Sequence, residues 1–407
     1  MSVTRRPPQE LRVLLLENVH PDATALLSKA GYQVEALDRA LGEAELTERL
    51  AHVDVLGIRS NTHVSAAALE AAPHLLAMGA FCIGTNQIDL GAASAHGVAV
   101  FNAPFSNTRS VVELVIAEII ALQRGLTDKS RQMHEGIWDK SAKGSHEVRG
   151  RRLGIVGYGN IGSQLSVLAE SLGMAVWFYD TDDKLALGNA KRCGSIEELL
   201  EAVDIVTLHV DGRADNRGLF GEAEFARMGQ GSLFLNLSRG FVVDHGALRA
   251  HIESGHIAGA AVDVFPNEPK AKGEPFVSEL RGLPNVILTP HVGGSTEEAQ
   301  QDIGRFVAGK LHDYLTLGST SLSVNLPNLV LPPDAREFRL THIHANVPGV
   351  LATVNSLFAD HGMNIEGQYL GTRGDVGYVI TDTPSDFPSD VLRALADLPA
   401  TTRLRVL

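Results

Sequence analysis

The strand-forming run Leu153-Gly154-Ile155-Val156 leads into Gly157-x-Gly159-x-x-Gly162 and then into a helical pattern. Asp180 follows eighteen residues after Gly162, at the end of a second strand-like run over 176–179. Glycine is common in this chain, 40 of 407 residues, so the triplet alone decides little. Strand before, helix after and an acid at this distance decide more, because each part has a physical task. Gly157 permits the tight turn, Gly159 lets backbone approach a pyrophosphate, and Gly162 allows close helix–strand packing. The helix N-terminus offers unpaired N–H groups to the anion. A stretch of this kind folds as a dinucleotide-binding βαβ unit. Asp180 accepts from ribose hydroxyls and repels a 2′-phosphate, and Thr181-Asp182-Asp183 supplies no arginine, so NAD(H) is expected over NADP(H).

The length allows two or three domains with real cores. Thirty-five basic against 48 acidic side chains leave a net charge of −13, which argues against nucleic acid or an anionic membrane as partner. Two cysteines, Cys82 and Cys193, form no C-x-x-C pair. A disulfide framework and a zinc site are therefore not expected, and a reducing cytoplasm fits. Residues 1–10 are polar and carry proline, unlike a signal peptide, and no apolar run reaches membrane-spanning length.

Strand-like runs at 11–16, 32–37, 54–59, 75–81 and 98–102 alternate with helical stretches, the pattern of a parallel α/β sheet. Ser110-Val-Val-Glu113 has capping-box spacing and opens a helix reaching about Arg124. Apart from Glu113 and Glu118 that helix is apolar nearly all round, so burial on more than one side is expected. From 152 to 290 the alternation repeats as a doubly wound unit. The helix expected over 296–317 has no further strand to serve there and is read as returning to the first unit. The resulting division is a discontinuous domain of 1–103 with 295–325, and a dinucleotide-binding domain over 104–294. Residues 319–334, with Pro327, Pro332 and Pro333, read as a linker. Beyond it, strands at 337–345, 364–370, 376–381 and 403–407 with helices at 350–360 and 389–396 give a βαββαβ order. The expected class is therefore α/β: two doubly wound parallel-sheet lobes of Rossmann or flavodoxin type, plus a ferredoxin-like module at 336–407 sized for regulation.

Three polar residues stand at the ends of expected strands, where ligands gather in open α/β sheets: Arg239, Glu268 and His291. An arginine fork holds a carboxylate or carbonyl oxygen. A histidine exchanges a hydroxyl proton, and a neighbouring carboxylate orients its ring and raises its pKa. Each alone could be a surface arginine, a solvated glutamate or a capping histidine; beside a cofactor fold, the set points to catalysis. His342 and His344 share one face of a strand, but no third ligand is spaced to join them, so sheet packing is favoured over a metal. Trp138 reads either as packing or as a subunit contact.

The motifs FCIGTNQID (81–89), FNAPFSNTRSVVELV (101–115), GIVGYGNIGSQL (154–165), SRG (238–240), AAVDVFPNEP (260–269) and TPHVGGSTEEAQ (289–300) resemble those of the D-2-hydroxyacid dehydrogenases, and the likeness runs from about 11 to 407. Its closest form is the bacterial short type with a C-terminal ACT domain. The resemblance implies a homo-oligomer, a tetramer, that uses NAD to oxidise D-3-phosphoglycerate to 3-phosphohydroxypyruvate, the first step of phosphorylated serine synthesis. It implies Arg239, Glu268 and His291 as the catalytic set. Gly157, Gly159, Asn160, Ile161, Gly162, Asp180, Leu237, Ser238, Arg239, Asp263, His291, Gly293 and Gly294 would line the cofactor. Arg59, Ser60, Ile83, Gly84, Asn107, Lys140 and Gln300 would face the substrate; where the family often has a second arginine after Arg59, this chain has Asn61. His344, Asn346 and Asn364 would bind the effector L-serine between two subunits, although Val347 stands where an arginine is usual. The basic pair often found before this strand corresponds to Arg336 and Arg339. Two rivals stay open: a reductase of another 2-oxo acid (2-oxoglutarate, hydroxypyruvate or glyoxylate), and an NAD-sensing co-regulator without turnover.

Overall fold

The computed structural model describes residues 5–269, 273–331 and 338–407; Pro332, Pro333, Asp334, Arg336 and the expected strand start at 337 lie outside them. The chain divides into two compact units, Met1–Ser106 with Gln300–Leu407, and Asn107–Ala299.

In the first unit β1 (Arg12–Leu15), β2 (Gln33–Ala36), β3 (Val55–Ile58), β4 (Ala77–Ala80) and β5 (Ala99–Phe101) form a parallel sheet in the order β2-β1-β3-β4-β5. β3, β4 and β5 are buried throughout, as a parallel sheet covered on both faces requires. The helix Glu297–Leu317 packs on this sheet: Val307, Leu311 and Tyr314 share a core with Leu15, Phe81 and Phe101. Gly79 is needed beneath it, since a Cβ there would stand 2.6 Å from Val307 Cγ1.

The early part of the expected linker is not a free connection. Ser323 bridges Phe101 in antiparallel sense, and Val324 N donates to Val100 O at 2.9 Å. Asn325 accepts from Val100 N and donates to Val98 O, each at 2.8 Å, so the segment covers the exposed edge of β5. Its serines and threonines look loop-like because their hydroxyls satisfy backbone groups, which composition cannot distinguish from solvation.

In the second unit β6 (Arg152–Val156), β7 (Ala175–Tyr179), β8 (Lys191–Arg192), β9 (Ile205–Leu208), β10 (Ser232–Asn236), β11 (Ile257–Val262) and β12 (Val286–Leu288) are parallel, in the order β12-β11-β10-β9-β6-β7-β8. The chain order reverses between β6 and β9, the switch point at whose C-terminal ends ligands bind. The helix Thr108–Arg124 starts earlier than the capping-box spacing suggests: Asn107 is its N-cap. Ser110, already inside the helix, pairs with Thr296 Oγ1 at 2.9 Å, and Glu113 pairs with Arg109. After left-handed Gly125 a further helix, Leu126–His134, is short and polar and carries too little apolar periodicity to be seen in sequence.

The C-terminal module has the expected order: β13 (Phe338–Ala345), helix Val350–Asp360, β14 (Gly367–Arg373), β15 (Val376–Thr383), helix Ser389–Ala396 and β16 (Thr401–Val406). Its antiparallel sheet runs β14-β15-β13-β16. The two helices bury Val350, Val354, Phe358, Val391 and Leu395 on one face. The other face sends Ile343, Tyr378 and Ile380 into the core shared with Phe101, Leu311 and Tyr314. Arg339, one of the basic pair matched to the start of β13, is buried: it forks Asp382 at 2.6 and 2.8 Å and reaches Leu317 O at 3.0 Å. Tyr378 donates to Gly318 O at 2.7 Å and Arg405 to Leu315 O at 3.2 Å, so three strands cap the carbonyl end of one helix.

Candidate active site

The glycine turn between β6 and the helix Asn160–Ser171 is built as the spacing requires. Gly157 has φ +93°, and a Cβ on it would stand 2.5 Å from His209 O. A Cβ on Gly162 would stand 2.3 Å from Gly157 O, while one on Gly159 would meet nothing within 4 Å. Two glycines thus close the turn on itself, and the third leaves open room over exposed Asn160 and the helix N-terminus. Asp180 accepts from Tyr158 N at 2.7 Å and from Asp182 N at 2.9 Å, one bond per carboxylate oxygen. Each oxygen keeps a lone pair for a ribose hydroxyl. These residues fit a bound NAD.

Beyond the switch point, strand ends gather the polar set. β10 ends on buried Asn236, whose side chain accepts from Ser238 N (3.1 Å) and Oγ (2.8 Å) and donates to Arg239 O (3.1 Å). That bracket turns the chain so that Arg239 leaves the sheet, its guanidinium donating to Ser238 O at 2.7 Å. Gly240 packs on the Phe265–Pro266 backbone at a distance no side chain would allow, which joins the arginine turn to the loop carrying Glu268. Glu268 Oε1 accepts from Phe265 N at 3.0 Å, and its Oε2 meets His291 Nδ1 at 2.9 Å.

His291 has φ +54°, a left-handed conformation that costs free energy for a residue with a side chain. Asp263, 1% exposed, holds it there. Its carbonyl accepts from His291 N at 2.9 Å. Its carboxylate takes Thr289 Oγ1 (2.6 Å), Val292 N (2.8 Å) and Gly293 N (2.8 Å). With Nδ1 committed to Glu268 and the ring half-exposed, Nε2 is the nitrogen left for a ligand. The Glu268 hydrogen bond raises the His291 pKa; burial pulls it back, charges on Glu268 and Asp263 add to the rise, and Arg239 opposes. Burial pushes the Glu268 carboxyl up, but its bonds to His291 and Phe265 N and the charges of His291 and Arg239 outweigh that and hold it below the usual range. The result is an imidazole–carboxylate pair beside a guanidinium.

The other expected cofactor positions lie around this loop. Leu237 and Ser238 are buried, and Gly293 has Asp263 Oδ2 and Leu237 against it. Gly294 lies against the Asn107 amide, where a Cβ would stand 2.1 Å from Nδ2. Lys140 is exposed in the second unit, near Trp138, which is 76% exposed. Arg59, Ser60, Ile83, Gly84 and Gln300 belong to the first unit. There the turn after β3 is held by Glu17, a buried carboxylate that sequence reading passed over. It accepts from Arg59 N (3.1 Å), Asn61 N (2.9 Å) and Thr62 N (2.8 Å). Gln87 donates to Arg59 O at 2.7 Å. The turn is thus fixed by its backbone, and the Arg59 guanidinium has no ion pair among the described residues. Glu17 carries no spacing signal of its own, and only the fold brings it to the turn it holds; Asn236 acts locally, bonding residues two and three ahead of it as an Asx-type turn does.

In the C-terminal module His344 Nδ1 donates to Ala345 O at 2.8 Å, while among the described residues its buried Nε2 has no hydrogen-bond partner. His342 lies beside it, ring centroids 5.2 Å apart, with burial lowering its pKa to about 4. No group of three or more metal-ligating side chains occurs among the described residues. Exposed Asn346 donates to Gly374 O at 2.9 Å, at the start of β15. Asn364 lies three residues before β14, whose first residue pairs with Asp382 near the end of β15. The two asparagines therefore stand at opposite ends of one sheet, and a single chain does not bring them together.

Over 399 residues, 98% of this chain and 97% of the relative, the sequence is 50% identical to the D-3-phosphoglycerate dehydrogenase of Haemophilus influenzae. The chain belongs to the D-3-phosphoglycerate dehydrogenases. The same enzyme of Escherichia coli strain K12 is 48% identical over 401 residues, 98% of each chain. Residues 116–293 match the NAD binding domain of the D-isomer specific 2-hydroxyacid dehydrogenases, and 340–403 match an ACT domain of the AHAS small subunit-like type. Among solved structures, that of D-2-hydroxyisocaproate dehydrogenase superposes with a TM-score of 0.71 at 25% identity, covering 77% of this chain and all of that one. The family's fold is thus the one described, with parallel-sheet lobes and an antiparallel ACT sheet, and its cofactor is NAD.

Proposed function

We propose that this chain oxidises D-3-phosphoglycerate to 3-phosphohydroxypyruvate, the entry step of phosphorylated L-serine synthesis. The observation that carries the reading is the His291–Glu268 pair at 2.9 Å with Nε2 left open, beside Arg239 in the NAD-binding unit. NAD⁺, when bound, supplies the acceptor for the hydride that leaves C2 of the substrate. Arg239 holds the substrate carboxylate by charge-assisted bonds. His291 Nε2 accepts the C2 hydroxyl proton, and Glu268 stabilises the resulting imidazolium through Nδ1. Asp263 keeps the His291 backbone in place. The Ile83–Gly84 turn and Asn107, Lys140 and Gln300 complete substrate binding, with Arg59 the cation for the phosphate. The glycine turn, Asn160, Ile161, Asp180, Leu237, Ser238, Gly293 and Gly294 hold the cofactor.

His344, Asn346 and Asn364 bind L-serine between two copies of the chain, because one copy holds the asparagines at opposite ends of its sheet. The working form is a homo-oligomer, a tetramer, in the cytoplasm; no helix among the described residues is long and apolar enough to cross a membrane. NADH formation with D-3-phosphoglycerate, set against NADH oxidation with 2-oxoglutarate, hydroxypyruvate and glyoxylate, tests the substrate. A kcat/KM higher for any of those oxo acids than for the phosphorylated pair would overturn it.

A further inference from the structure

The helix Thr108–Arg124 buries one charged-type side chain, Glu118, which is 3% exposed. Both of its carboxylate oxygens are inaccessible and have no hydrogen-bond partner. An unpaired carboxylate costs far more in such a place than the protonated acid does. The same helix touches the catalytic loop. Ser110 Oγ meets Thr296 Oγ1 at 2.9 Å, and Val111 Cγ2 would lie 3.6 Å from a Cβ on Gly293. Glu118 lies two turns beyond Val111 on the same buried face, and the charge that acts on it is Asp263.

Among the described residues the surroundings supply no counter-ion. The helix packs on β10, β11 and β12, which carry no titratable side chain. On the helix Asn160–Ser171, also packed there, Glu170 is committed to Asn189 N. On the helix Leu126–His134, Asp128 holds Asn285 N and Arg131, Lys129 donates to Ser141 O, and His134 is exposed. The exposed Arg109–Glu113 pair and Arg124 complete the helix's own charges. Beyond Asp263 stand His291, Glu268 and Arg239, which act on one another.

We propose that Glu118 is a positioning residue: a buried carboxylic acid behind Asp263 that must stay protonated for Asp263 to hold the 289–293 loop. Asp263 receives its three bonds only as a single buried anion; a second anion beside it, with no cation to share, raises the cost of both charges. Ionisation of Glu118 therefore repels the Asp263 carboxylate and weakens its grip on Val292 N, Gly293 N and the left-handed His291. Burial first, and then the Asp263 charge, carry the Glu118 pKa up to about 8, so this happens just above neutrality. Sequence alone shows only an acid in an apolar helix; the fold gives it one charged neighbour, and that neighbour holds the catalytic loop.

The inference rests on the catalytic reading above, so its test has one arm that needs the substrate and one that does not. In the first, kcat/KM for D-3-phosphoglycerate oxidation is followed from pH 6 to 9.5 for the native enzyme and Glu118→Gln. The native value falls by about tenfold per pH unit above the inflection, and the variant, whose neutral amide cannot ionise, lacks that limb. In the second, NADH affinity is measured by its fluorescence: it weakens over the same range in the native chain and stays level in the variant. A residue with a merely structural role would change expression or Tm and leave both profiles alike. Superimposable profiles for the two proteins overturn the proposal. So does constant native NADH affinity between about pH 7 and 9, a result available even where the variant does not fold. No turnover of D-3-phosphoglycerate, with the NADH arm as expected, sinks the substrate and leaves Glu118 its role.

Discussion

At the scale of single residues, the His291–Glu268 pair makes activity depend on pH in a direction that can be stated. In the proposed oxidation His291 must be unprotonated to accept the hydroxyl proton, so the rate should rise as pH climbs through its pKa. Glu268 raises that pKa, chiefly through the 2.9 Å hydrogen bond. Replacing Glu268 by Gln removes the charge and weakens the bond, so the acid limb of kcat/KM should move to lower pH, at a smaller cost in rate than losing the base. His291→Ala should lower kcat by about 10²–10⁴, the usual worth of a general base. Stopped-flow and steady-state pH profiles read both; an acid limb unmoved in Glu268→Gln would separate the carboxylate from the base. On the proposed cofactor site, Asp180 also sets the choice between NAD and NADP. Asp180 keeps one free lone pair on each oxygen, so Asp180→Ala should narrow the NAD over NADP preference in kcat/KM by weakening NAD rather than by gaining NADP.

Secondary-structure elements carry a different kind of claim. β13 and β15 hold one another through Arg339 and Asp382, a fork in which both side chains are nearly inaccessible, 4% and 3% exposed. Arg339 also caps the carbonyl end of the helix Glu297–Leu317, so the pair ties the ACT sheet to that helix. Removing one partner of a buried pair leaves the other charge uncompensated, which typically costs about 3–5 kcal/mol. Asp382→Ala should therefore lower the Tm markedly, while the double change Asp382→Leu with Arg339→Met should recover much of the loss. Calorimetry of the three proteins decides it, and a double variant as unstable as the single one would refute the account.

On the scale of the whole molecule, the proposed effector site depends on where one sheet places its ends. Asn346 and Asn364 flank opposite ends of β15, so an effector site using both takes one from each of two chains. Mixed oligomers of Asn346→Ala and Asn364→Ala chains should then regain half the L-serine sites that either variant alone has lost, measured by calorimetric stoichiometry. Deleting the ACT module is no neutral way to remove this response. Ile343, Tyr378 and Ile380 are part of the core that contains Phe101 and Tyr314, so a chain ending near Ser323 exposes that surface and should unfold at lower temperature. Much of this organisation could be read in the sequence, because it rests on local physics. The glycine turn needs its spacing, parallel strands need continuous apolar runs, and Arg239, Glu268 and His291 stand at strand ends wherever those strands lie. Boundaries set by long-range contact could not. Asn107 rather than Ser110 begins a helix because Ser110 is engaged by Thr296; Ser323 and Asn325 cover a strand edge more than 200 residues earlier in the chain. Glu17 and Glu118 look like ordinary acids until folding brings Glu17 to the amides of residues 59–62 and Glu118 under the charge of Asp263. Local pattern determined the elements and the chemistry, and only tertiary packing decided which backbone amides and which single charge those buried side chains would meet.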